Sequence, residues 1–212
     1  MPMVFPASPT VGQVFTEGGR SWVWSGSTWD APTATNTLLA PYGLELIRTV
    51  NFTNVASVSI GSNADPVFSS AYDNYRIILS SRNATDAARA YLLRLRANTT
   101  DETTALYNVM NQGIDRVGAN FNTAVVNGTS ANIVAFAFYL GERSSASFDL
   151  MNPFLAERTT GLGVNQGIDA NHYNHQSFSF LLATNTSYNG FTLLNSSGNF
   201  IDGRVSIYGY RK

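Results

Sequence analysis

Residues 73–82 read DNYRIILSSR, and they decide the fold class. Tyr75, Ile77 and Leu79 fall on one side of an extended chain, and Asn74, Arg76, Ser80 and Arg82 fall on the other. Ile78 alone breaks the alternation. A half-buried strand requires this period of two, because successive side chains leave a pleated backbone on opposite faces. The same period recurs downstream: Ala146, Phe148 and Leu150 stand opposite Ser147 and Asp149, and Phe178, Phe180 and Leu182 stand opposite Ser177 and Ser179. Asn127-Gly128, Asn189-Gly190, Ser197-Gly198-Asn199 and Asp202-Gly203 read as turns between such runs. Roughly eight to ten strands, at spacings near 8–12 residues, predict an all-β fold: a β-sandwich or jelly roll. One short stretch, Ala84–Ala90, is a candidate helix, below the length at which a helix is stable by itself.

Composition agrees. Of 212 residues 44% are apolar and 12% aromatic, but only 13% are charged, about half the usual quarter. Solubility therefore falls to Ser, Thr and Asn, residues that also favour hydrogen-bonded turns. Net charge is −1, so no field draws the chain to nucleic acid or to an anionic membrane. There is no cysteine, hence no disulfide or thiolate chemistry, and the only lysine is Lys212. The start, MPMVFPASP, has no basic segment followed by an apolar core and does not read as a signal peptide. The longest apolar run, Ile133–Leu140 (IVAFAFYL), is far short of the roughly 20 residues of a membrane helix and reads as a buried strand. A soluble protein is expected.

Three zones follow: residues 1–32, which hold all three tryptophans; a polar linker, 33–44; and the alternating region, 45–212. In the first zone Val11–Thr16, Arg20–Ser25 and Thr28–Ala31 read as strands joined at Glu17-Gly18-Gly19 and Gly26-Ser27. Trp22 and Trp24 then share a face, and Trp29 returns across the second turn to meet them. A meander of about 25 residues is marginal in water, so these rings need a further surface. Three remain open: the large domain, a second copy or partner protein, or a stacked carbohydrate.

Two patterns resemble bacteriophage proteins. Pro6-Ala-Ser-Pro9-Thr-Val-Gly12-Gln-Val-Phe15, followed by Gly19-Arg20-Ser-Trp22-Val-Trp24-Ser-Gly26-Ser-Thr-Trp29, resembles a short module of tail-fibre and minor virion structural proteins. Phe68-Ser-Ser-Ala-Tyr72-Asp-Asn-Tyr75-Arg-Ile-Ile-Leu79, Leu93–Arg96 with Tyr107-Asn108, and the ending Gly198–Gly209 resemble a domain that closes many phage virion proteins. Residues 110–175 match neither pattern. The resemblance implies a homotrimer in the virion, assembled in the bacterial cytoplasm and bound to other tail or capsid proteins. Trp22, Trp24, Trp29 and Phe15 would be its interface, and the jelly-roll-like domain would face outward. Loops carrying His172, Tyr173, Asn174, His175 and Tyr188 would meet host glycans. The trimer also favours a subunit interface for the run 133–140, which is apolar on both faces.

No catalytic pattern emerges. No serine has a G-x-S-x-G setting, and a phosphate loop of the usual kind lacks its lysine. Gly161-Leu-Gly163-Val-Asn-Gln-Gly167 has the wrong spacing for a dinucleotide motif and reads as a mobile loop. His172 and His175 with Asp169 form a metal set only if all three converge; the spacing fits no zinc pattern, and no metal or other cofactor is expected. Arg94 and Arg96 share a strand face with Leu92, either clasping acidic partners or, as favoured here, lying solvated. The expectation is a non-enzymatic tail-fibre or fibre-like protein. A capsid decoration protein and a carbohydrate-binding or glycan-degrading module are the alternatives.

Overall fold

The alternation at residues 73–82 becomes strand β6 (Asn74–Asn83), with Tyr75, Ile77 and Leu79 buried and Ile78 exposed. This computed structural model describes residues 4–31, 43–83, 90–115, 118–134, 142–168 and 173–212, and counts and absences below refer to these. Two units are separately compact, Met1–Tyr42 and Gly43–Lys212. Their boundary falls inside the expected linker, whose last residue, Leu44, already belongs to a strand of the larger unit.

The small unit is an antiparallel meander of β1 (Val14–Glu17), β2 (Arg20–Trp24) and β3 (Trp29–Asp30). Gly18 and Gly19 make the first turn with φ of 60° and 76°. Two successive left-handed residues suit the twist of a two-residue hairpin, and glycine takes them without a steric penalty. The second turn is tied by the Ser25 N–H, which donates to the Thr28 carbonyl at 2.9 Å.

The larger unit holds thirteen strands: β4 (Leu44–Val55), β5 (Ser57–Ile60), β6, β7 (Tyr91–Ala97), β8 (Thr100–Asp101), β9 (Tyr107–Asp115), β10 (Asn120–Gly128), β11 (Ala131–Val134), β12 (Arg143–Met151), β13 (Thr159–Ile168), β14 (Tyr173–Leu182), β15 (Gly190–Asn195) and β16 (Phe200–Tyr210). Eight form one antiparallel sheet in the order β10-β9-β14-β13-β12-β6-β16-β4. A smaller sheet runs β11-β7-β15-β5, with β8 paired to β7. The pairings are nested in sequence: β16 with β4 and β6, β15 with β5 and β7, β14 with β9, β13 with β12. A chain folded back on itself in this way, across two packed sheets, is an all-β, jelly-roll-like sandwich.

The core lies between the sheets because each strand turns its apolar alternate positions inward. Phe68 joins the layers, with its ring centroid 4.7 Å from Tyr75 of the large sheet and 5.8 Å from Phe191 of the small one. Tyr91 of β7 meets Phe200 of β16 edge-on at 5.1 Å. The Tyr107 hydroxyl of β9 accepts the Leu95 N–H of β7 at 2.8 Å, satisfying a polar group that burial would otherwise penalise.

Two expectations change. The glycine-rich stretch 161–167 is not a mobile loop; it lies within β13, an internal strand of the large sheet. Its glycines take inward positions because neighbouring rings fill the space. A Cβ on Gly161 would sit 2.2 Å from Phe180 Cε1, and one on Gly163 only 2.3 Å from Phe148 Cβ. Asp202-Gly203 is not a turn but mid-strand in β16, where the Phe52 ring lies over Gly203. Ser197–Asn199 does turn between β15 and β16, with Gly198 at φ 74°. Of the run 133–140, Ile133 and Val134 are buried in β11, while 135–140 lie outside the described residues. The candidate helix is outside them too, except for Ala90, which is not helical.

Candidate functional site

In the small unit the register places Phe15 opposite Trp22 and Trp24 opposite Trp29. Trp22 and Trp24, two apart on β2, therefore point to the same side as Phe15 and Trp29. Phe5, not singled out in the sequence, completes the group. Its ring lies 5.2 Å from Phe15, 5.5 Å from Trp22 and 5.3 Å from Trp29, stacked on the last. Trp24 and Trp29 are 5.6 Å apart. These are the offset and edge-on spacings that aromatic quadrupoles favour. All five rings remain only half-buried, since one sheet has no second layer to cover it. The chain thus gathers a five-ring apolar surface and leaves part of it in water. An aromatic residue in the short Pro-rich entry segment, next to Pro6, was the available signal for Phe5.

The residues expected in glycan-facing loops divide. Asn174 and His175 lie in strand β14, not in a loop; Asn174 is buried and His175 is on the exposed face. Tyr188 does not face outward: it is 1% exposed, and its hydroxyl donates to Glu102 Oε2 at 3.1 Å. Burial pushes that hydroxyl's pKa up. Burial also pushes the Glu102 carboxyl up, but hydrogen bonds from Thr104, Tyr188 and Thr103 outweigh it and hold the group below its usual range. The Tyr173 side chain and His172 fall outside the described residues. So does Asp169, which leaves His175 as the one described member of the metal set. Among the described residues no three His, Cys, Asp or Glu side chains gather around a common point.

Arg94 and Arg96 do share the outward side of β7 with Leu92. Arg96 is not solvated, however. Its guanidinium donates to Asp101 Oδ1 at 2.7 Å, Thr192 Oγ1 at 2.9 Å, Ser59 Oγ at 2.6 Å and the Thr99 carbonyl at 2.6 Å. Its donors are spent inside the sheet, so it is not available to clasp a partner.

The outer face of the large sheet has two unlike halves. On β12, β6 and β16 it carries four arginines, Arg76, Arg82, Arg143 and Arg204, and two aspartates, Asp149 and Asp202. Tyr210 donates to Asp149 Oδ1 at 2.6 Å, Arg76 stands 3.7 Å from Asp149 Oδ2, and Arg143 and Arg82 both hold Asp202. On β10, β9, β14 and β13 the face carries no Lys, Arg, Asp or Glu at any described position. The register sets Ala124, Met110, Ser179 and Leu162 in one row, and Asn122, Gln112, Ser177 and Val164 in the next. Met110 is 68% exposed, Leu162 62% and Val126 72%. Two open hollows, of about 340 and 630 Å³, share Met110, Ala124, Leu162 and Ser179 in their linings. Exposed apolar residues scattered singly are ordinary, but a contiguous set is a contact surface. This face was invisible in sequence, because it is assembled by registers between strands spread over residues 107–182.

No known protein family matches the chain, and no curated protein does. Among solved structures it is similar to a family 7 alginate lyase, a substituted form of A1-II′ in complex with substrate, at 10% identity and a TM-score of 0.23. That match covers 73% of this chain and 65% of the lyase. A second similarity, to the structure of infectious bursal disease virus Gt strain, has 13% identity and a TM-score of 0.14 and covers 78% of this chain and 42% of the viral one. The chain thus spans just under two thirds of the first and under half of the second. Likeness at this level assigns no function, and the sandwich stands on its own strand pairings.

Proposed function

We propose that this chain is a non-enzymatic structural protein of a bacteriophage virion: a homotrimeric tail-fibre or fibre-like protein, held by its small unit and displaying its sandwich to host-surface glycans. The half-buried five-ring cluster on a separately compact unit carries the reading. Tryptophan and phenylalanine are costly to leave in water, at roughly 1.5–3 kcal/mol for a large apolar side chain. Rings gathered on one face of a small sheet are what an interface anchor consists of. The phage character comes from the residue patterns around Trp22, Trp24 and Trp29 and along 68–79 and 198–209; the low-charge, hydroxyl- and amide-rich sandwich supports display in solvent. Such a protein assembles in the bacterial cytoplasm and joins other tail proteins there.

Labelling the protein on purified particles tests this. Label on tails upholds the fibre reading. Label on heads, with increased heat resistance of empty heads, replaces it with capsid decoration. Release of reducing sugar from host polysaccharide by the purified chain replaces it with a glycan-degrading module.

A further inference from the structure

We propose that the charge-free outer face of β10, β9, β14 and β13, centred on Met110 and Leu162, is where this chain packs against further copies of itself. Three observations converge on it. The first is chemical. In a contact between identical chains, residues near the symmetry axis meet their own twins, so any charge there is repelled. This half of the face presents Met110, Ala124, Leu162, Val164 and uncharged amides and hydroxyls, with the His175 imidazole in an outer row beside Ile114 and Gln166. The neighbouring half sets four arginines, Arg76, Arg82, Arg143 and Arg204, against Asp149 and Asp202, an excess of positive charge that a twin face would repel.

The second is size. Four strands about 4.8 Å apart and about nine residues long at ~3.4 Å each cover roughly 600 Å² in projection, and more as accessible surface. A standard interface takes about 800 Å² from each partner. The patch is of the right order without recruiting the charged half.

The third is the edge. β10 ends the large sheet, and Asn120–Gly128 (NFNTAVVNG) has neither charge nor proline to guard its unpaired backbone groups. The opposite edge, β4, carries Glu45 and Arg48. Unguarded edges invite pairing unless something covers them, and here the unguarded edge and the apolar face occupy the same half of the sheet.

The copy number, three, rests on the virion reading above; the face does not. Light scattering on the purified full chain tests both. The wild type is expected at the trimer mass. Met110→Arg with Leu162→Arg, at positions already exposed, is expected to lower the mass threefold to the single chain and leave the thermal melt in place, whereas Ser57→Arg on the small sheet changes neither. A dimer that the same substitutions dissociate upholds the face and overturns the three copies. An oligomer that survives them overturns the face, and so does a wild type that is monomeric at every soluble concentration. Because the chain has no cysteine, Leu162→Cys supplies a second readout should the double variant unfold. Covalent dimers on mild oxidation of Leu162→Cys, but not of Ser57→Cys, uphold the contact, and their absence overturns it. Neither result touches where label appears on particles, so the virion reading fails or survives separately.

Discussion

The small unit and the sandwich use the same material in opposite ways. In both, aromatic rings meet at similar spacings: 5.2–6.1 Å among Phe5, Phe15, Trp22, Trp24 and Trp29, and 4.7–5.8 Å among Phe68, Tyr75, Phe191, Tyr91 and Phe200. Yet the second group is fully buried and the first is not. Ring-to-ring geometry does not by itself seal a core. A second layer does, and only the sandwich has one. All three tryptophans stand in the single-layered unit and none in the double-layered one, so tryptophan emission reports the first unit alone.

The largest expected effect breaks the sealed side of this comparison. Gly163→Val places a Cβ against Phe148 Cβ and Cα and against the Ser147 carbonyl, all closer than 3 Å. Valine suits strands by propensity, worth at most ~1 kcal/mol, but backbone atoms of the adjacent strand cannot swing aside. A loss of roughly 3 kcal/mol or more is expected, measured by denaturant unfolding followed by far-UV circular dichroism. Native tryptophan emission should stay unchanged. A midpoint like the wild type's means that Phe148 does not close over β13.

A smaller effect tests the open side. Phe5 touches three of the other four rings, and Phe5→Ala removes about 1–3 kcal/mol of contact, a large share of what so small a unit can hold. Tryptophan emission is expected to shift to the red, while the tyrosine near-UV signal and the melting of the sandwich stay in place. If both signals move together, the units are not independent.

The smallest effect lies on the sandwich surface and is read by pH. The hydrogen bond from Arg82 holds the Asp202 carboxyl below the usual carboxylate range against a modest burial cost, and the charges of Arg82 and Arg143 add to it. A folded pKa below the unfolded one means stability that is present above the unfolded value, near 3.9, and lost as pH falls through the folded value. Asp202→Asn should therefore lower the melting temperature at neutral pH by roughly 1–2 °C, as exposed, screened pairs do. The difference should vanish in acid. A difference that persists there assigns the effect to packing.

How far each region is legible follows from what period and turn chemistry can express. β6, β12 and β14 can be read because their apolar residues alternate, and the Trp hairpin because Gly18-Gly19 and Gly26 punctuate it. β13 reads falsely as a loop although glycine itself alternates at 161, 163 and 167: the residues that fill its inner face, Phe148 and Phe180, belong to neighbouring strands and are silent in a local window. Tyr188 misleads for a related reason, since polar neighbours at 186–189 hide a side chain whose partner, Glu102, is distant in sequence. The apolar outer face cannot be read at all. Met110, Ala124 and Leu162 become neighbours only through three inter-strand registers.

The nesting of the strands sets a timetable. β16 lies between β4 and β6, hydrogen-bonded to both, so the first strand of the sandwich has no partner until the last one exists. On the ribosome, residues 44–55 wait as an unpaired edge while nearly all the rest is synthesised, and the sheet closes only when 200–210 emerge. Pairings so distant along the chain fold slowly and leave sticky intermediates meanwhile. The three strands of the small unit, Val14–Asp30, are free to pair long before. The end proposed to attach is thus ready before the part it carries.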